Sequence, residues 1–76
     1  NRAIVLGIND KTLNQKIYVV IETKNKIGLE SLKKKIKILF KEIDEIMFLN
    51  KIPLTNIGKP DISHLNRIIK NYEKKS

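Results

Sequence analysis

Apolar and polar positions divide the chain into five segments that follow two different periods. Residues 3–7, 16–22 and 45–49 are short runs rich in aliphatic and β-branched side chains, which is typical of strands. Residues 29–42 and 62–72 carry apolar side chains at intervals of three and four, which is typical of amphipathic helices. The order strand, strand, helix, strand, helix predicts an α+β domain, with a small sheet of about three strands and two helices packed on it.

Local signals indicate where these segments begin and end. Gly28 is an acceptable N-cap for the first helix, and Asp61, which follows a proline, is a natural N-cap for the second. The polar residues 9–12 predict a turn after the first strand. Residues 73–76 end the chain, and we expect them to fray.

The same periods predict the core. Side chains on the apolar stripes of the helices or in the strands are expected to be buried, and lysines elsewhere are expected to be exposed. The residues predicted to be buried are Val19, Ile21, Leu32, Ile36, Leu39, Phe48, Leu65 and Ile69, and those predicted to be exposed are Lys33, Lys37 and Lys59.

The length of 76 residues fits a single small domain over residues 1–76. Such a short chain buries only about 60% of the surface that its unfolded form exposes. Its core is too small to enclose a pocket of ~300–1,000 Å³ alone, so we expect another domain or chain to complete any active site. The first residue is Asn1 instead of Met, which suggests a piece of a larger protein.

The composition argues against several common chemistries. Cysteine is absent and His64 is the single histidine, which disfavours a disulfide framework and a zinc site. Neither a Gly-x-Ser-x-Gly elbow nor a glycine-rich phosphate loop occurs. Glu42, Asp44 and Glu45 cluster between a helix and a strand, where a solvated charge cluster is favoured over an acid/base pair.

No apolar run approaches 18 residues, and we expect a cytoplasmic protein without a membrane partner.

The formal net charge of +8 leaves a second function open. A basic excess raises affinity for polyanions, so the chain could be a small basic module that binds nucleic acid or protein. Yet 14 of the 16 basic residues are Lys, whereas base and phosphate recognition favours Arg. Lys33, Lys34, Lys35 and Lys37 fall mostly on the solvated face of a helix, and we favour that interpretation over nucleic-acid binding.

One loop near residue 59 could carry chemistry. Gly58 can adopt a positive φ without a Cβ penalty, and Pro60 disfavours helical backbone in the residue before it. Lys59, between them, is expected to project from a loop tip in a direction that its neighbours fix. On these residues alone, an ordinary exposed lysine in a turn is the favoured interpretation.

The stretch 46–61 resembles the C-terminal signature of the adenylate-forming (AMP-binding) enzymes, which include acyl-CoA synthetases, peptide-synthetase adenylation domains and carrier-protein ligases. That signature has an apolar strand, Leu-Pro, commonly Thr, a small turn and Gly-Lys before a helix. Residues 5–10 are similar to the family's strand and following turn, and the resemblance covers roughly residues 3–70. The matching positions in the signature are Phe48, Ile52, Pro53, Leu54, Thr55, Gly58, Lys59, Asp61 and Leu65.

The resemblance implies a C-terminal lid that closes over a large N-terminal domain of the same parent chain. It implies that Lys59 is catalytic, and that it reaches the substrate carboxylate and the α-phosphate of ATP while the acyl-adenylate forms. Thr55 and Gly58 would support its loop. ATP and Mg²⁺ would be bound mainly by the N-terminal domain, the substrate would be a carboxylic acid, and coenzyme A or phosphopantetheine would be the acceptor. No metal ligand is assigned to this chain, which is expected to be inactive alone.

Departures from the family pattern leave the subfamily open. Leu13 stands where an aromatic residue is common, Asn14 and Gln15 stand where Gly-Glu is usual, and Pro60 stands where a β-branched residue is usual. These departures also leave open whether the parent enzyme is active. The identity of the acid and of the acceptor stays open as well, because the family's acid pocket lies in the other domain.

Overall fold

The computed structural model describes residues 2–10 and 14–75. Its elements, in chain order, are β1 (Ala3–Asp10), β2 (Asn14–Glu22), α1 (Leu29–Leu39), β3 (Glu45–Leu49) and α2 (Ile62–Lys75). The predicted α+β class and the order β-β-α-β-α are confirmed. Leu13 and the second half of the turn predicted at residues 9–12 lie outside the described residues.

The three strands form one mixed sheet in the order β1-β2-β3. β1 is antiparallel to β2, with Val5 opposite Val19, and β3 is parallel to β2, with Met47 opposite Val20. The central position of β2 agrees with its nearly continuous apolar run, since such runs are typical of strands covered on both faces. Because β2 and β3 are parallel neighbours, their connection must cross over the sheet, and it contains α1.

The main core lies between one face of the sheet and α2. Leu6, Tyr18 and Met47 share that face through the strand register. Leu65 and Ile69, one helical turn apart on α2, pack in the same cluster and are fully buried, as predicted. The complete cluster is Leu6, Ile8, Tyr18, Val20, Met47, Ile52, Leu65 and Ile69, with the partly buried Ile4, Leu49 and Ile68 against it.

The opposite face of the sheet is covered unevenly. Val19, predicted to be buried, is buried there together with Ile46. Ile21 and Phe48, also predicted to be buried, are only half-buried. Val5 of β1 is exposed. The second face therefore contributes a smaller core than the face beneath α2.

The helix α1 does not bury its apolar stripe. Leu32 and Leu39, predicted to be buried, are 42% and 74% exposed, and Ile36 is half-buried. Lys33 and Lys37, predicted to be exposed, are also half-buried. The prediction was wrong for Leu32 and Leu39 because a periodic stripe shows where a helix is apolar and not whether another surface covers it.

Several element ends differ from the prediction, and β2 begins at Asn14 instead of residue 16. β1 continues through Asp10, so residues 9 and 10 pair with β2 instead of forming a turn, because the neighbouring strand completes their backbone ladder. α1 ends at Leu39 instead of about residue 42, because Phe40 leaves the helical region with φ −124° and ψ 83°.

The end of α2, which reaches Lys75, is held on the sheet, in contrast to the fraying expected for residues 73–76, of which Ser76 lies outside the described residues. The Tyr18 hydroxyl donates a hydrogen bond to the Glu73 carboxylate, and Lys16 Nζ lies 3.4 Å from Glu73 Oε2. Burial raises the pKa of the Tyr18 phenol above its ordinary value, and the Glu73 carboxylate raises it further. These contacts join the last turn of α2 to β2, and the helix continues to Lys75.

The carboxylates before and at the start of β3 have structural partners. Asp44 Oδ2 accepts a hydrogen bond from the Ile17 N–H at 2.7 Å, and the Asp44 N–H donates to the Ile17 carbonyl at 2.9 Å. Glu45 Oε1 lies 3.7 Å from Nζ of Lys37 on α1. Asp44 and Glu45 therefore fix the start of β3 beside β2 and α1.

Candidate functional site

Residues 53–61, called the Lys59 loop below, connect β3 to α2 as a short hairpin. Leu54 and Pro60 pair as an isolated antiparallel bridge. Just outside this bridge, the Asp61 N–H donates to the Pro53 carbonyl at 2.9 Å. The two arms of the loop therefore run antiparallel, and residues 54–60 are exposed.

Thr55 holds the backbone of Lys59 from both sides. The Thr55 N–H donates to the Lys59 carbonyl at 2.7 Å, and the Lys59 N–H donates to Thr55 Oγ1 at 3.3 Å. The Thr55 carbonyl accepts the Gly58 N–H at 2.9 Å and so closes a turn over residues 55–58. Gly58 then adopts φ 82°, where any other side chain would strain the backbone. The structure thus brings together the three residues that the sequence singled out, Thr55, Gly58 and Lys59.

Both ends of the Lys59 loop are anchored. Ile52, just before it, is fully buried, and its N–H donates to Glu22 Oε1 at 2.8 Å. At the other end, Asp61 Oδ1 accepts the His64 N–H at 3.1 Å, and the Asp61 carbonyl accepts the Leu65 N–H at 3.0 Å. Asp61 is therefore the N-cap of α2, as predicted. These anchors determine where the tip of the loop stands relative to the sheet.

Glu22 is a contributor to this arrangement that the sequence did not reveal. It ends an apolar strand, a position where a charged residue is ordinarily solvated. Its half-buried carboxylate instead meets the backbone of a residue 30 positions later. No local pattern marks such a contact, because the pairing depends on how β2 and the Lys59 loop meet in three dimensions.

Lys59 is exposed, as predicted. It takes part in neither ion pair found within residues 2–10 and 14–75, which are Lys16–Glu73 and Lys37–Glu45. Its ammonium can therefore serve an external anion as a point charge with three donors. At ~4 Å such an attraction is worth about 1 kcal/mol in water and about 4 kcal/mol at an effective dielectric constant near 20. A second surface that excludes water would thus strengthen the interaction several-fold.

The described ranges 2–10 and 14–75 lack two further features. No group of three or more His, Cys, Asp or Glu side chains there is arranged to hold a metal ion. No helix in those ranges has the length and apolar character needed to cross a membrane.

Solved structures with this fold include two kinds of ligase. Amide bond synthetase McbA from Marinactinospora thermotolerans matches 86% of this chain with 23% identity and a TM-score of 0.59. A lysine-to-alanine variant of McbA matches 88% with 21% identity and a TM-score of 0.61. An acyl-CoA synthetase from Brucella canis matches 100% with 21% identity and a TM-score of 0.62. No protein-family model and no curated protein matches the chain.

These likenesses concern the fold of the chain. It has a fold that is also found in an amide bond synthetase and in an acyl-CoA synthetase. The resemblance inferred from the sequence signature is therefore confirmed at the level of the fold. The chain spans only 14% of McbA and 15% of the acyl-CoA synthetase. The likeness is therefore to a small part of each of these two enzymes.

Proposed function

We propose that this chain is the lid domain of an ATP-dependent, adenylate-forming acid ligase, and that Lys59 assists the formation of the acyl-adenylate. The observation that carries the proposal is the geometry at Lys59. An exposed lysine stands on a loop whose backbone is fixed by Thr55 and whose ends are anchored by Glu22 and Asp61. The likeness in fold to amide bond and acyl-CoA synthetases adds support.

The chemistry of acid activation explains why an ammonium is useful at this position. A carboxylate oxygen attacks the α-phosphorus of ATP, a new O–P bond forms, and pyrophosphate leaves with the electron pair of the broken bond. Two anions must approach each other, and negative charge moves toward the bridging oxygen. The Lys59 ammonium, presented by the anchored loop, lowers that repulsion and stabilises the developing charge.

The partners are those that the resemblance to adenylate-forming enzymes implies, and the chain spans only 14% and 15% of the two ligases, which leaves room for a second domain. A large N-terminal domain of the same parent chain would bind ATP, Mg²⁺ and the carboxylic acid, and coenzyme A or phosphopantetheine would accept the acyl group. The Lys59 ammonium suits the phosphate and carboxylate oxygens and not the metal ion, so Mg²⁺ would be held by the other domain. Closing the lid removes water around Lys59 and raises its attraction to the anions.

The test is Lys59→Ala in the full-length ligase, with Lys51→Ala as the matched control, since Lys51 is an exposed lysine just before the Lys59 loop. Pyrophosphate exchange should slow by at least ~10²–10³ in the Lys59 variant, the usual scale for removing one preorganised charge. Thioester formation from a supplied acyl-adenylate should be largely spared. The melting temperature should hardly change, because an exposed lysine contributes within about 0.5 kcal/mol to stability.

Other outcomes would redirect the assignment. Equal losses in both half-reactions would mean that Lys59 acts through general binding or structure. An unchanged exchange rate, or the same loss in the Lys51 control, would mean that the turn at Gly58 is ordinary and that the catalytic group lies elsewhere.

A further inference from the structure

A cleft of about 370 Å³ runs along the open edge of β3. Its base consists of the consecutive residues Ile46, Met47, Phe48 and Leu49. Successive side chains of a strand point to opposite faces of a sheet, so a cleft that touches all four must follow the strand edge itself. This cleft, the β3 cleft below, thus borders the backbone of an edge strand, because β3 follows β2 at the end of the sheet order.

The two walls of the β3 cleft differ in chemistry. Leu29, Glu30 and Lys33 of α1, together with Lys26 just before the helix, line one wall. This wall carries two ammonium groups against one carboxylate. The other wall is formed by Ile68 and Tyr72 of α2 and is apolar and aromatic. A ligand that fits both walls needs negative charge on one side and apolar surface on the other.

The strand at the base is suited to pairing with another strand. β3 spans five residues, or roughly 17 Å at ~3.3 Å per residue. An edge strand presents a row of N–H and C=O groups that can pair with an added strand. Proteins commonly protect such edges with proline or with charges. β3 has one charged residue, Glu45 at its start, which pairs with Lys37, and residues 46–49 contain neither proline nor charge.

We propose that the β3 cleft binds an extended segment of another protein, which adds to β3 as a fourth strand. Its acidic side chains would face Lys26 and Lys33, and its apolar side chains would face Ile68 and Tyr72. Successive side chains of an extended strand point to opposite sides, so a segment in which acidic and apolar residues alternate would present each type to the matching wall. Backbone hydrogen bonds to β3 provide affinity, and the two unlike walls provide specificity.

A second copy of this chain fits the β3 cleft less well. Pairing two β3 edges would bring together two sets of Lys26 and Lys33 in chains that each carry a formal charge of +8. Like charges across an interface disfavour association. We therefore assign the cleft to a partner of opposite charge and not to self-association.

The experiment titrates the isotope-labelled chain, at an ionic strength of ~0.15 M where charges more than about 8 Å apart are largely screened, with a capped peptide of alternating glutamate and valine that is long enough to cover β3. NMR spectra should show amide shifts at residues 45–49 and slower hydrogen exchange of the β3 amides that face the cleft. Lys26→Glu combined with Lys33→Glu should weaken binding at least ~10-fold, since the charged wall is then reversed. Lys26→Glu alone should also weaken binding. Because Lys26 is exposed and lies outside α1, this single variant still tests the proposal if the double variant unfolds.

The matched control is Lys34→Glu combined with Lys35→Glu. These lysines are exposed on the same helix and do not line the β3 cleft, so the net charge changes equally while the wall stays intact. Binding of the glutamate–valine peptide to this control should stay within ~3-fold of the unchanged chain, which is the range expected for a distant, screened charge. A lysine–valine peptide should bind the Lys26, Lys33 double variant better than it binds the unchanged chain.

Several results would overturn the proposal. Equal weakening in both double variants would show non-specific attraction to a basic protein. Shifts at residues 45–49 with decanoate but not with the peptide would identify a small-molecule site. Shifts that grow with protein concentration, together with dimers in sedimentation, would identify self-association. An absence of shifts at residues 45–49 at any peptide concentration would show that the edge is closed.

Discussion

The helices α1 and α2 have similar amphipathic patterns and different roles in the fold. Leu65 and Ile69 of α2 are fully buried against the sheet. No residue of α1 is buried, and Leu39 at its end is 74% exposed. The contrast shows that periodicity predicts that a helix has an apolar face, whereas contact with the rest of the molecule determines whether that face stabilises the fold.

The two helices also differ in how their ends are held. The first turn of α2 is capped by the Asp61 side chain, and its last turn is tied to β2 through Glu73. The N-cap of α1 is Gly28, which makes no side-chain cap bond, and α1 is joined to β3 by the Lys37–Glu45 ion pair. We therefore regard α2 as the helix that supports the core and α1 as a cover held mainly by its connections.

The largest expected difference comes from truncating one aliphatic side chain on each helix. Ile69→Ala removes a fully buried side chain and should lower the free energy of unfolding by ~2–5 kcal/mol. Leu39→Ala removes an exposed side chain and should change it by less than about 0.5 kcal/mol. Urea unfolding followed by circular dichroism measures both. Similar losses for the two variants would mean that α1 is packed as firmly as α2.

A second difference should appear in the stability at alkaline pH, because the Tyr18 hydroxyl donates a hydrogen bond to Glu73 of α2. Burial raises the pKa of the Tyr18 phenol above its ordinary value of about 10, and Glu73 raises it further. The folded state therefore holds this proton more tightly than the unfolded state, so the stabilisation is complete below pH ~10 and is lost as the pH rises above it. Melting temperatures between pH 8 and pH 11 should fall more steeply for the unchanged chain than for Tyr18→Phe. Equal slopes would show that the Tyr18 proton does not stabilise the end of α2.

The smallest expected difference concerns the N-caps. Asp61→Ala removes the acceptor of the His64 N–H and should cost about 1 kcal/mol. Gly28→Asn puts at φ 73° the side chain that tolerates this backbone better than most, so the added strain is small, and Gly28 has no side-chain cap bond to lose. The variant should lower the free energy of unfolding by less than about 0.5 kcal/mol. Thermal unfolding of the two variants makes the comparison. A larger loss from Gly28→Asn would show that the start of α1 contributes more than its exposure indicates.

Local features of the sequence were sufficient to predict the backbone conformation of the candidate site. Thr55, Gly58 and Asp61 lie within a few positions of Lys59, and their turn and cap contacts form between near neighbours in the chain. For the same reason the order of the elements and the N-cap of α2 could be predicted. Residue type alone decides much at such short range, because glycine tolerates a positive φ and aspartate can cap a helix.

Contacts between distant residues could only be decided by the tertiary structure. Glu22 meets Ile52 across 30 positions, and Tyr18 meets Glu73 across 55. Neither pairing has a sequence signal, because each depends on the strand order and on where α2 crosses the sheet. The exposure of α1 and the open edge of β3 follow from the same long-range arrangement. Burial is a property of two surfaces, and a one-dimensional pattern of apolar residues describes only one of them.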